Sequence, residues 1–471
     1  MNILLVAAEF APYLSSRPSA ESVAHLAKAL RLLDHSVTVV VPRDPAYLQA
    51  GLMAARRLSP LSSNEGNPGA DLAHVYDVNL TTGVRLSLVD LLTESGKPRD
   101  EGTSPESAEA HALRLRRLGQ AIGAYVTAQS SQGAPFDVVH AHDCELGLAL
   151  LSVKEVGIAK VFTVHDASQT GTFPRQLAAQ LGLSDEWLTS HGFGAGEEIS
   201  LLKGLLSQAD AVLVPSENYG KKLQAPEHHG GMARAFQAVS LIGIPEGVDQ
   251  SVYNPATDSA LSCRYDAARP ESKGRNRAEA LRRLELAFDP ERPIVFCEFD
   301  ALGDPGWSTL VAAIPALMRA NITLILAGGD ELAADTLTAF PDRLRVVKSL
   351  DATARRQTLA AADFYLSVRR KDPSGRALMQ ASRYGAIPIA YQADAVPDLL
   401  VDCDPELETG NGLLYETMTQ RALLTVIARA LRLYRSPRWT RLLARVMRRD
   451  LAWDRAARRH VQVYTQLLSS R

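Results

Sequence analysis

Cysteine is scarce. Cys144, Cys263, Cys297 and Cys403 are the only four in 471 residues, and none stand in C-x-x-C spacing, which excludes a disulfide framework and a structural zinc site. A reducing compartment, the cytoplasm, is expected. Long apolar runs are missing too: none approaches the roughly 20 residues of a spanning helix. The first, MNILLVAAEFAP, has no basic residue ahead of it and meets Glu9 early, so neither a signal peptide nor a membrane segment is expected. Charge of one sign is not in excess. Lys plus Arg number 51 against 53 Asp plus Glu, so no global positive field exists to hold nucleic acid or an anionic membrane.

What is present is an ordinary globular composition, 46% hydrophobic and 22% charged, at a length that holds two or three domains of about 100 to 200 residues. Residues 2–8 form an apolar run, followed by a polar loop and a helical pattern through Val23, Leu26, Ala27, Leu30 and Leu33. SVTVVVP (36–42) then reads as a strand covered on both faces, completing a βαβ unit and implying a parallel sheet. Further strand-like runs are DVVHAH (137–142), KVFTVH (160–165) and AVLVPS (211–216), with helices over 145–155 and 197–208.

The pattern restarts with PIVFCEF (293–299), ITLILAGG (322–329), LRVVKS (344–349), FYLSV (364–368) and AIPIAY (386–391), and residues 256–290 hold no strand-like run. The reading is therefore α/β, two Rossmann-like, doubly wound parallel-sheet domains facing across a cleft. The expected boundaries are 1–248, an interdomain segment 249–290, a second domain 291–440, and a C-terminal helix 441–471 returning to the first domain. Residues 56–72 and 93–109, rich in Ser, Pro, Gly and charge, read as surface loops.

Fold alone leaves the chemistry open, and motifs narrow it. VVHAHDCELGLAL (138–150), FTVHDASQTGTFP (162–174), EISLLKGLLSQADAVLVPS (198–216), GIPEGVDQSVYNPATD (243–258) and MRRDLAWDRAARRHVQVYTQLL (447–468), with the opening NILLVAAEFAPY, resemble in order the segments of bacterial glycogen synthases and plant starch synthases. The resemblance spans nearly the whole chain. It implies the GT-B architecture and an ancestral reaction, retaining transfer of glucose from ADP-glucose to the end of an α-1,4-glucan. It makes His165 the histidine that contacts the donor sugar and Asp143 an aspartate of the cleft wall, and it matches Gly328, Gly329 and Asp330 to a G-x-G-D turn. For His165 a hydrogen-bonded core role stays equally open, and a glycine turn is common after any Rossmann-like strand.

Holding a diphosphate without a metal takes Lys, Arg and backbone N–H groups, and here the family's pattern fails at one position after another. Its K-T-G-G-L loop aligns with Ser15, Ser16, Arg17, Pro18 and Ser19. The lysine is gone and Pro18 has no N–H to give. Arg17 is a candidate substitute, or a solvated loop arginine. The arginine and lysine that clamp the diphosphate align with Asp300 and Pro305; an anion at ~4 Å from a phosphate costs about 4 kcal/mol at an effective dielectric near 20. The E-P-C-G-L loop, whose glutamate sits at the reaction centre, aligns with Asp372, Pro373, Ser374, Gly375 and Arg376, and the T-G-G loop with Ala393, Asp394 and Ala395.

Asp372 is thus the candidate catalytic carboxylate, shorter by one methylene. Arg17, Asp143, His165, Gly329, Asp330 and Gly375 are the candidate substrate-binding residues, and Ser15, Pro18, Asp300, Pro305, Asp372 and Asp394 the degenerate positions. The bland alternative for Asp372 and Asp394 is a pair of solvated loop carboxylates. The resemblance with these departures implies a glycogen/starch synthase-like protein that has lost most or all turnover. One alternative is a transferase whose donor grip is rebuilt from Arg17, Arg369, Arg370, Lys371 or Arg376; another is a non-enzymatic glucan-binding or partner-regulating protein. No metal and no cofactor are expected, ADP-glucose entering as donor only in an active chain. The expected partners are an α-1,4-glucan or maltooligosaccharide and a partner glycogen synthase, with no nucleic acid and no membrane.

Overall fold

A computed structural model describes residues 1–62, 71–92, 106–189, 192–229, 231–299, 304–328 and 334–471. The chain divides into two compact units, Met1–Glu246 with Trp453–Arg471, and Gly247–Ala452. No helix of the described residues is long and apolar enough to cross a membrane.

The first unit contains strands β1 (Asn2–Val6), β2 (Ser36–Pro42), β3 (Ala55–Arg56), β4 (Leu61–Ser62), β5 (Asp71–Asn79), β6 (Arg85–Leu91), β7 (Val138–His142), β8 (Ala159–Thr163), β9 (Thr172–Pro174), β10 (Gly194–Ala195), β11 (Glu198–Ser200), β12 (Ala211–Val214) and β13 (Leu241–Gly243). Among the described residues, ten of them form one sheet in the order β13-β12-β8-β7-β1-β2-β6-β5-β3, with β4 also on β5, while β9, β10 and β11 form a small antiparallel sheet. Successive residues of β1 feed opposite cores: Leu4 and Val6 join Val139 and Phe162 on one face, whereas Ile3 and Leu5 join Val138 and Val161 on the other. That double burial is why the strand is continuously apolar. Helix Pro18–Leu32 starts with proline at its first position and carries Glu21 in its first turn and Arg31 in its last, in accord with the helix dipole. It packs Val23, Leu26, Ala27 and Leu30 onto the second face, where Trp453, Ala457 and Tyr464 of helix Trp453–Ser469 also lie.

The second unit is built on β14 (Ile294–Phe299), β15 (Thr323–Gly328), β16 (Leu344–Val347), β17 (Phe364–Ser367), β18 (Ile387–Tyr391) and β19 (Leu413–Tyr415). They run in the order β16-β15-β14-β17-β18-β19, and every pairing is parallel. Both sheets therefore reverse direction around their first strand, β1 lying between β2 and β7, and β14 between β15 and β17. At such a switch point the loops leaving the carboxyl ends diverge and open a crevice.

All ten strand-like runs read from the sequence are strands. β5 and β6 were missed; they form an antiparallel hairpin that makes the first sheet mixed. β5 is only partly buried, and in both strands polar residues interrupt the apolar ones, a weaker signal than an apolar run; the TTG turn between them was its best marker. The surface loop expected over 56–72 is corrected where β3, β4 and β5 pair within it; residues 63–70 lie outside the described residues, as do 93–105 of the second expected loop. Helix 145–155 is two short pieces, Cys144–Gly147 and Ala149–Ser152. Helix 197–208 begins as β11, with only Leu201–Leu206 helical.

Candidate functional site

In the first unit the switch point collects the loops after β1 and β7. Glu9, just past β1, turns back on the polar loop: its carboxylate accepts from Ser16 Oγ and, at 2.9 Å, from Arg17 N. The Arg17 side chain donates to Glu145 at 2.8 Å and lies 3.8 Å from Glu9. Arg17 is therefore not a solvated loop arginine, and its charge is matched by two carboxylates. Ser15 is exposed, and Pro18 is exposed as the first residue of its helix. Asp143 is buried with φ 63° and ψ 161°, a region nearly reserved for glycine that costs on the order of 1–3 kcal/mol. Its N–H is held by Thr163 O at 3.0 Å.

His165 follows β8. Its Nε2 is 3.0 Å from His142 Nδ1, and its Nδ1 is 3.6 Å from Glu246 Oε1, a carboxylate that also accepts from Ser22 Oγ at 2.6 Å. Both ring nitrogens thus face the protein, which favours the hydrogen-bonded core role. His142, His165, Glu246, Ser22, Trp453 and His460 share a cavity of about 20 Å³, room for about one water and far below the ~300 Å³ of a small-ligand site. Beside it His140 is held between Tyr464 OH at 2.7 Å and Thr163 Oγ1 at 2.6 Å. Burial pushes the pKa values of His140 and His142 well below the usual range, and that of His460 down to about 4, with the neighbouring imidazoles adding to the effect.

In the second unit, Asp300, Gly329 and Asp330 lie outside the described residues. Pro305 is exposed at the first position of helix Pro305–Leu317. Asp304 caps that helix by accepting from Gly306 N at 2.7 Å and takes Arg370 N at 3.1 Å as well. A Cβ on Gly306 would stand 1.7 Å from Val368 O, so the helix start is pressed onto the loop leaving β17. That loop carries Asp372, whose Oδ1 accepts from Gly375 N at 2.8 Å. Asp394 Oδ2 in turn accepts from Asp372 N at 2.8 Å.

Asp372 and Asp394 are buried, 7% and 3% exposed, so the solvated-loop reading is corrected: each carboxylate is bonded to a main-chain amide. Burial raises the Asp372 pKa while Arg369 pulls it back and Asp394 adds to the rise. Asp394 takes φ 37°, a left-handed conformation that aspartate tolerates better than most side chains. Of the basic run, Arg369 is half-buried beside Asp372, and Arg370 and Lys371 are exposed. Among the described residues no group of three or more His, Cys, Asp or Glu could hold a metal ion.

A common arrangement emerges. Around each switch point, backbone N–H groups that could meet an anion already bond carboxylates of the chain itself: Arg17 N to Glu9, Gly306 N and Arg370 N to Asp304, Asp372 N to Asp394, Gly375 N to Asp372. Sequence reasoning singled out Asp372 and Asp394 but not Glu9, Asp304 or Glu246. Asp304-Pro305 carries a helix-start signature, an N-cap residue before proline, and Glu246 stands where the resembled motif has asparagine.

Residues 2–238 match the family described as starch synthase catalytic domain. The chain belongs to this family. Among curated relatives, a glycogen synthase of Syntrophotalea carbinolica is 27% identical over 98% of both chains, and glycogen synthase 2 of Geobacter sulfurreducens is 28% identical over the whole of both. Among solved structures, the catalytic domain of starch synthase IV from Arabidopsis thaliana, bound to ADP and acarbose, has a TM-score of 0.82 at 21% identity, covering 99% of each chain. Sucrose-phosphate synthase from Thermosynechococcus elongatus has a TM-score of 0.60 at 18% identity over 100% of each chain. This starch synthase family member thus has the GT-B fold class, with two Rossmann-like units.

Proposed function

We propose that this chain is a catalytically degenerate glycosyltransferase of the glycogen/starch synthase type, cytoplasmic, with little or no turnover of ADP-glucose and a role in binding α-1,4-glucan or a partner synthase. No metal or cofactor enters the reading. The observation that carries it is the occupation of main-chain amides at both switch points by Glu9, Asp304, Asp372 and Asp394. A diphosphate binds where amides and cations are unmatched; a carboxylate already there repels it and holds its hydrogen-bond donors. The loss of cations at Ser15 and Pro305 and the inward-facing His165 support the same conclusion.

A second reading, an active glucosyltransferase with a rebuilt donor site, is favoured by Arg369, whose charge acts on Asp372 inside the second unit. Calorimetric titration with ADP-glucose, ADP and a short maltooligosaccharide, paired with glucose incorporation into glycogen, separates the two. Glucan binding without nucleotide binding is the expected result. Micromolar nucleotide affinity with chain extension at an ordinary rate would overturn the proposal and establish the second reading.

A further inference from the structure

The small cavity in the first unit is lined by two buried polar atoms that have no hydrogen-bond partner among the described residues, His142 Nε2 and Trp453 Nε1. Their side chains are nearly sealed from solvent, His142 at 2% and Trp453 at 7% exposed. A buried polar group without a partner costs about 1–3 kcal/mol, and such groups are rare enough that each needs an explanation. Two of them on one cavity call for a common one.

The chemistry of the neighbours fixes which atom donates. With His165 taken as the neutral ring, the nitrogen facing the Glu246 carboxylate at 3.6 Å, Nδ1, is the electrostatically favoured place for its proton. His165 Nε2 then holds a lone pair and accepts from His142 Nδ1–H at 3.0 Å. That leaves His142 Nε2 as an unprotonated acceptor, because burial keeps the ring neutral. Trp453 Nε1–H can only donate. One acceptor and one donor thus line a space of about 20 Å³, just above the ~10–15 Å³ that a single water needs. An apolar occupant would leave both atoms unsatisfied, and a sugar or nucleotide does not fit.

We propose that this cavity binds one internal water, which donates to His142 Nε2 and accepts from Trp453 Nε1–H, ending the Glu246, His165, His142 chain on the C-terminal helix. Ser22 and Glu246 line the same space. The site is independent of whether the chain turns over ADP-glucose. Its function is to fix the His142 tautomer, and through it the orientation of His165, to the seating of helix Trp453–Ser469.

The test is a high-resolution crystal structure of the full chain together with ¹⁵N-histidine NMR at neutral pH, on the wild type and on Trp453→Phe. Expected are density for one water within hydrogen-bond distance of both atoms, a His142 signature of Nδ1–H with a hydrogen-bonded bare Nε2, and in Trp453→Phe loss of that density with a downfield shift of the Nε2 resonance. A dry cavity, a water reaching only one of the two atoms, the Nε2–H tautomer of His142, or an Nε2 resonance unmoved by Trp453→Phe would each overturn it. Because Trp453→Phe keeps the aromatic packing, a folding failure is not expected; were one seen, the wild-type density and tautomer alone decide the matter.

Discussion

Replacing Glu145 by glutamine tests the electrostatic core of the proposed function. In the wild type the guanidinium of Arg17 is paired with Glu145 at 2.8 Å, with Glu9 at 3.8 Å, so an approaching anion meets one positive and two negative charges. An anion in contact with Arg17 on its open side would stand ~7 Å from the Glu145 carboxylate, where one pair of like charges repels by about 2 kcal/mol at an effective dielectric near 20. Both side chains are about a quarter to a third exposed, 30% for Arg17 and 26% for Glu145, so salt and solvent reduce that to ~1–2 kcal/mol. Glu145→Gln should therefore tighten pyrophosphate binding by about 5- to 30-fold, measured by calorimetry at low ionic strength, and the gain should shrink at high salt. Arg17→Ala in the same background should abolish the gain. An unchanged affinity in Glu145→Gln, or a gain that survives without Arg17, would refute the claim that the internal pair is what neutralises this loop.

Acid should loosen the first unit through its histidines. The pKa of His460 is about 4 in the fold against about 6.5 unfolded, so the unfolded state binds more protons and stability falls as pH drops from 6.5 toward 4, by up to ~3 kcal/mol for this group. Segment-resolved hydrogen exchange at pH 7 and pH 4.5 should show the loss in β1 and β7, and His460→Leu should flatten it. Asp394→Ala should cost about 2–3 kcal/mol in denaturant unfolding of the second unit, because it strands the buried Asp372 N–H and puts alanine, which tolerates the left-handed region less well than aspartate, at φ 37°; Asp394→Asn, which keeps an acceptor, should cost under ~1 kcal/mol. Gly306→Ala should destabilise the second unit by more than ~3 kcal/mol, since its Cβ would overlap Val368 O at 1.7 Å, and a thermal shift below a few degrees would contradict the packing.

The doubly wound character of both halves was legible because strands buried on two faces must be apolar along their whole length: NILLV, VVHAH, IVFCEF and IPIAY announce themselves without any partner. The β5–β6 hairpin was not, because β5 is only partly covered and the polar residues of DLAHVYDVN are easily taken for loop. The departures from the family's donor-binding pattern were equally readable, as lysine, arginine and glycine positions filled by Ser15, Pro18, Asp300, Pro305 and Asp394. What the substituted residues do instead could not be read. A carboxylate in a string of letters carries a charge but no direction, and Asp372 and Asp394 looked like solvated loop residues until the pairing of β17 with β18 brought the loops that follow them together and set one carboxylate on the other's amide. The same holds for the pairing of Arg17 with Glu145 and of His165 with His142 and Glu246, residues far apart along the chain. Composition and periodicity determine which segments must be buried, since burial is a property of each segment. Which polar atoms meet is decided only when strand order and loop conformation fix positions to within a hydrogen-bond length.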